Sequence, residues 1–297
     1  VELGNLSALT YLDLMENQLS GGIPVEICSL TNLTELKLGP NQLTGSIPIE
    51  LGNLSNLIFL ELRNNQLDGG IPSQLGNLTN LTELYMQSNQ FSGEIPAEIG
   101  NLVNLNTLHL YANQLTGNIP PELGNLTNIH AIDLAHNQLS GSIPSEISNL
   151  NLLQSLSLSD NQISDGIPLW LSEKADLQYL YLDRNQLTGS IPSELGNLDK
   201  LEHLWLWSNS LSGTIPAELG NLSNLEWLWI SNNQLTGNIP PELGNLSNLR
   251  YLYIDSTNVT GAIPAALGNL SQLRDIWLHY NSLTGSIPAE LGTLTNL

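Results

Sequence analysis

Five aromatic side chains, Tyr181, Trp205, Trp229, Tyr253 and Trp277, recur at intervals of 24 residues in the C-terminal part of this 297-residue chain. Two flanking columns, offset by two residues to either side, add Tyr179, His203, Trp227 and Tyr251, and then Trp207, Asp255 and His279. Rings in this number supply large, rigid contact area and a few polar tips, which is the chemistry of binding rather than of bond making. A further column reads Glu202, Glu226, Arg250, Arg274. Arg250 and Arg274 side by side could receive a ligand carboxylate through charge-assisted hydrogen bonds, while Glu226 and Arg250 are placed to pair with each other.

Catalysis fails on order. His109, Asp133 and Ser157 share one column, but the acid lies between the other two, whereas the base must sit between nucleophile and orienting acid. Asp255 and His279 are neighbours with no nucleophile read in register. No two-histidine metal spacing, phosphate-cradling loop or zinc cysteine set occurs. The chain is therefore expected to be no enzyme and to carry no metal and no cofactor.

These columns exist because the interval of 24 runs through the whole chain. Residues 225–248, LEWLWISNNQLTGNIPPELGNLSN, show the unit, and twelve full copies fill 9–296 after a partial copy at 1–8. Leu228 and Ile230 alternate with Trp227, Trp229 and Ser231, the period of a strand with one buried face. One such strand cannot bury its own leucines, so copies must stack into a continuous core. An Asn column, seen at Asn137 and Asn233, should bond backbone groups of its own and the adjacent repeat. Thr257 interrupts that column and predicts a weaker rung. With strands about 4.8 Å apart, the five central rings should form a ladder roughly 19 Å long.

The spacing Leu225, Leu228, Ile230, Asn233, Leu235 and the segment Leu115-Thr116-Gly117-Asn118-Ile119-Pro120 resemble the plant-specific class of leucine-rich repeats. That class includes ectodomains of plant receptor kinases and polygalacturonase-inhibiting proteins; the even repeat length also suits bacterial or algal relatives. The resemblance implies an α/β solenoid, a curved leucine-rich repeat superhelix with a parallel concave sheet, short second strands and short helical turns behind. Residues 1–297 then form a single domain, read as a piece of a longer chain because neither end carries a cap. The implied function is a recognition module that holds a peptide or protein on the concave aromatic face. An oligosaccharide stacked on the same rings is the alternative. A third reading is adsorption to ice or another ordered surface through the Ser/Thr column that includes Thr236, Thr260 and Thr284.

Composition narrows the partners. Seven Lys and Arg against 28 Asp and Glu give a net charge of −21, which repels phosphate backbones and argues against nucleic acid. No apolar run approaches the ~18 residues of a membrane span. Ten N-x-S/T triplets agree with an extracellular or cell-surface location. The single Cys28 excludes an internal disulfide and is expected to be an inert thiol. Repeat seven is irregular: Asp165 replaces a Gly, and Trp170 and Lys174 occupy Glu and Leu positions. Trp170 is expected to fold over the gap, and the Lys174 stem to snorkel outward.

Overall fold

A three-residue strand opens each repeat, with an aliphatic residue in its middle. Leu180, Leu204, Leu228 and Leu252 are fully buried, and the residues before and after each lie on the opposite face of the sheet. The computed structural model describes residues 3–297. They divide between the sixth and seventh repeats into two compact units, Val1–Leu153 and Gln154–Leu297. In the first unit the strands Tyr11–Asp13, Glu35–Lys37, Phe59–Glu61, Glu83–Tyr85, Thr107–His109 and Ala131–Asp133 pair in parallel, each with its successor. In the second, Ser155–Ser157, Tyr179–Tyr181, His203–Trp205, Trp227–Trp229, Tyr251–Tyr253 and Asp275–Trp277 do the same. Every pair is offset by one repeat, as Trp229 opposite Tyr253 shows. That register puts the 24-residue columns of the sequence in physical rows.

The return path is a short helical turn. Pro240, held at φ −63°, starts the 3-10 segment Pro241–Asn245, since the ring fixes φ and removes a donor that a helix start does not need. Leu243 and Leu246 project into the core and are fully buried. The turn ends there because Leu246 adopts φ −75°, ψ 72°, outside the helical region. Successive turns approach so closely that a Cβ on Gly220 would lie 2.3 Å from the Glu242 backbone oxygen. What constrains Gly220 is therefore contact, not φ. Cys28 occupies this column in the first unit and is buried. Burial, with the Glu50 charge adding to it, pushes its thiol up to about 11, which keeps it protonated and unreactive.

Second strands form at the Leu-Thr-Gly step, where Gly237 turns the chain at φ +75°. In the second unit they pair as Ser212–Thr214 with Gln234–Thr236, and as Thr260–Ala262 with Ser282–Thr284. After the short strand Gln162–Ile163 of repeat seven, the isolated bridges Gly166 to Thr188 and Ser190 to Ser212 take the place of paired second strands. Asp165 is forced there to φ 68°, a conformation costly for a residue with a Cβ. Lys174 departs from expectation. Its stem does not reach outward: the residue is 2% exposed at a leucine position, and burial pulls its ammonium below the usual lysine range against the opposing charge of Glu173. Trp170 beside it is half-buried.

The asparagine ladder has definite geometry. Asn233 Nδ2 donates to the carbonyls of Ile230 and Ser231 in its own repeat and Leu206 in the preceding one, at 3.0, 3.1 and 3.0 Å. Its Oδ1 accepts from Leu211 N–H at 3.0 Å. At the interrupted rung Thr257 Oγ1 donates to Ile254 O at 3.3 Å and to Asn281 Oδ1 at 2.6 Å. It reaches no carbonyl of the preceding repeat, and it occupies the amide oxygen that elsewhere receives a second-strand N–H. The rung is thinner, as its sequence implies.

Candidate functional site

The strands of residues 179–277 are held flat by their buried leucines, so their outward side chains must share one surface. Registers pair Tyr181 with Trp205, Trp205 with Trp229, Trp229 with Tyr253 and Tyr253 with Trp277. Ring centroids along this row are 4.6, 5.7, 5.4 and 4.4 Å apart. The first row runs Tyr179, His203, Trp227, Tyr251, with centroid steps of 5.1, 5.8 and 3.9 Å. Trp207 in the third row stacks on Trp229 at 4.6 Å and 14°. The ladder is thus a continuous ring network over three rows.

Packing among the rings changes their exposure. Tyr179, Tyr181, His203, Trp205, Trp207, Trp227, Trp229 and Tyr251 are half-buried by one another. Tyr253 is 6% exposed, covered by Trp227, Trp229, Tyr251 and Trp277. It supports the surface rather than forming it. Trp277 is 41% exposed, and His279 is exposed beside it. Many contacts are edge-to-face, at 72° for Trp205 with Trp229 and 75° for Trp229 with Tyr253. Such geometry brings ring edges against negative ring faces and leaves a ridged, not a flat, surface.

Polar groups are fixed at the margins. Tyr181 Oη and His203 Nδ1 share a hydrogen bond of 2.7 Å, and burial holds the His203 imidazole below its ordinary pKa against the pull of Glu202 and Glu226. Tyr179 donates to Glu202 at 2.9 Å, and that bond raises its pKa. Tyr253 donates to Asp275 at 3.2 Å; burial and the Asp275 charge push the phenol up to about 12. Arg250 lies 3.3 Å from Glu226, as the column order implied. Arg274 is exposed and, among the described residues, has no acid within 4 Å. The arginines therefore do not act as an equivalent pair: one is neutralised and the other is open.

Asp255 is buried and accepts a short hydrogen bond from Ser231 Oγ, with His279 Nε2 3.6 Å from its other oxygen. A hydroxyl does stand in register with Asp255 and His279, contrary to the sequence reading. The acid again lies between hydroxyl and imidazole, so the order is not that of a nucleophile–base–acid triad. Two contributors escaped the sequence reading: Arg184, 5.6 Å above the Trp207 ring, and Tyr280. Tyr280 is 82% exposed and lies 5.0 Å from the His279 ring. It sits in the turn just beyond the third row, outside any alternating pattern.

The first unit carries a smaller ring run, Phe59, Tyr85, His109 and Tyr111, with centroid steps of 5.5, 5.2 and 6.1 Å. Ion pairs interrupt it. Lys37 lies 2.7 Å from Glu35 and between the rings of Tyr11 and Phe59, and Arg63 meets the buried Glu61 at 2.5 Å. That surface is already partnered from within the chain.

The model of the "Leucine-rich repeat region" family matches residues 1–119 and 118–225, and shorter leucine-rich repeat models match 223–267 and 272–294. The chain belongs to the leucine-rich repeat family. No curated protein matches it in sequence. Among solved structures it is similar to the Arabidopsis receptor kinase HAESA, in complex with the peptide hormone IDA and the co-receptor SERK1. The identity is 36% and the TM-score 0.92, over 98% of this chain and 49% of that one. It is also similar to the plant peptide hormone receptor RGFR1 in complex with RGF2, at 36% identity and TM-score 0.78, over 100% and 59%. A plant ice-binding protein matches at 29% identity and TM-score 0.68, over 93% and 82%. This leucine-rich repeat chain spans about half the length of the two receptors. Among its described residues, no helix is long and apolar enough to cross a membrane.

Proposed function

We propose that this leucine-rich repeat chain is a non-catalytic, extracellular recognition module that holds a peptide segment of a hormone or protein across the ring network of residues 179–280. The observation that carries this is the continuity of the rings. Exposed apolar patches of this kind mark contact sites on soluble proteins, and half-buried aromatics with fixed rotamers are the usual anchors of an interface. The similarity to receptors solved in complex with peptide hormones supports the ligand class. Open Arg274, exposed Trp277 and exposed Tyr280 supply a charged and aromatic end where a peptide would be fixed. An oligosaccharide fits less well, because sugar stacking needs broad ring faces and the edge-to-face contacts cover many of them.

The likeness to an ice-binding protein supports scaffold kinship more than shared function. The hydroxyls of Ser212, Thr236 and Thr260 donate to backbone carbonyls of the preceding repeat at 3.4, 3.2 and 3.2 Å, which gives that row a structural use. A random peptide display library and a glycan array, probed with the full chain, test the proposal, with an ice-growth assay alongside. The expected result is enrichment of peptides that compete with one another. Binding confined to glycans, or arrested ice growth without peptide binding, would overturn it.

A further inference from the structure

Six of the N-x-S/T triplets share one conformation that the rest do not. Their asparagines, Asn53, Asn77, Asn125, Asn221, Asn245 and Asn269, each end a 3-10 turn and are exposed. The leucine that follows each is buried and has φ between −73° and −79° with ψ between 55° and 72°. That is an inverse γ-turn, closed where the Ser or Thr N–H donates to the Asn carbonyl at 2.8 to 2.9 Å. The Ser and Thr residues are exposed too. Among the described residues, neither these amide side chains nor these hydroxyls take a side-chain hydrogen bond.

Two triplets of identical composition are built differently. Asn32 Nδ2 donates to Ser7 O at 2.7 Å, and Thr34 Oγ1 to Thr10 O at 3.0 Å. Asn80 Nδ2 donates to Ser55 O at 2.9 Å, and Thr82 Oγ1 to Ile58 O at 3.1 Å. Both functional groups are thereby tied to the preceding repeat. A bulky substituent on either nitrogen would be driven against that backbone and would break the bond.

We propose that the six-membered row is a set of N-glycan attachment sites and that Asn32 and Asn80 are not. The inference rests on the extracellular reading above. In the transfer, the amide nitrogen forms a bond to C1 of an oligosaccharide carried on a polyprenyl pyrophosphate. The C1–oxygen bond breaks, the pyrophosphate leaves with the electron pair, and the nitrogen loses one proton. Glycans on this row would sit on the 3-10 turns, away from the strand rows that carry the rings, and would shield the acidic, turn-lined side of the stack.

The test is secretion of the full chain from a eukaryotic host behind a cleavable leader. Enzymatic deglycosylation in heavy-oxygen water follows, and peptide mass mapping then locates each released asparagine by its mass tag. Tags on the row in most molecules and unmodified Asn32 and Asn80 are expected. An untagged row, or tags at Asn32 and Asn80 as frequent as on the row, would overturn the proposal. Unglycosylated Asn80→Gln and Asn77→Gln proteins provide the second readout, since only Asn80→Gln should lower the denaturant midpoint; equal midpoints would overturn the assignment of the bonded amide. Because the mapping never uses the ring network, its failure leaves the peptide-binding reading standing, and failure to bind peptides leaves the mapping result untouched.

Discussion

Replacing Asn233 by Ala removes four hydrogen bonds at a side chain only 7% exposed, but the four are not equivalent. Leu206 O keeps a donor in Asn209 Nδ2 at 3.0 Å, and Ser231 O keeps Ser208 N–H at 3.0 Å. Leu211 N–H loses its acceptor outright. Ile230 O also loses its donor, because the next rung holds Thr257, which does not reach back. Two buried backbone groups are therefore orphaned, each at ~1–3 kcal/mol, for a loss of about 2–6 kcal/mol. Thr257→Ala gives up only the two hydroxyl bonds and should cost about 1–2 kcal/mol on the same scale. The reverse substitution, Thr257→Asn, should stabilise by ~1 kcal/mol by giving Ile230 O a second donor and freeing the Asn281 oxygen for Val259 N–H. It should also offset part of the Asn233→Ala loss, which a double-mutant cycle would register as coupling between adjacent rungs. Urea midpoints of the parent, the three single variants and the double variant are the assay. Equal midpoints for Asn233→Ala and Thr257→Ala, or a Thr257→Asn protein less stable than the parent, would refute the ladder argument.

Gly220→Ala should destabilise by up to ~3 kcal/mol, since a backbone oxygen 2.3 Å from the new Cβ cannot yield without separating two repeats. Gly189→Ala, with φ +75° and no atom within 4 Å, should cost only the ~1–2 kcal/mol of left-handed strain, and thermal melts would rank the two. Lys174→Leu should raise the melting temperature, because it restores the leucine column and removes a buried ammonium whose depressed pKa reports its desolvation. His203 has a folded pKa below its unfolded value, so its contribution is present above about pH 6.5 and is lost as pH falls through the folded pKa. Denaturant midpoints between pH 7 and pH 5 should therefore fall less for His203→Gln than for the parent.

The periodic part of this molecule was legible because each repeat solves the same packing problem. Leu228 and Ile230 identify the strand, Pro240 the turn, and Asn233 the rung, and the register then places every column. Exposure within the ring network was not legible. Whether Tyr253 is surface or support depends on how Trp227, Trp229 and Trp277 lean, and alternation of residue types carries no information about rotamers. Lys174 misled for a related reason: a long cationic side chain can snorkel or stay buried, and its neighbours in space decide. Ser231 and Tyr280 were missed because one was treated as a spacer and the other lies in a turn, where period-2 reasoning stops.

Trp229 touches Trp205, Trp207 and Tyr253 and is the centre of the proposed peptide site, so its truncation is the most direct test. Central aromatic anchors typically account for ~2 kcal/mol or more of binding, about a thirtyfold loss of affinity, while each lost ring contact removes ~0.5–1.5 kcal/mol of packing. The measurement is calorimetric titration of a library-selected peptide into the parent, Trp229→Ala and Tyr11→Ala, with melts of all three. The account predicts at least a thirtyfold weaker complex and a modest melting shift for Trp229→Ala, and parental affinity for Tyr11→Ala, whose ring lies in the other unit. A Trp229→Ala protein that melts early but binds the peptide as the parent does would show that the rings only brace the sheet.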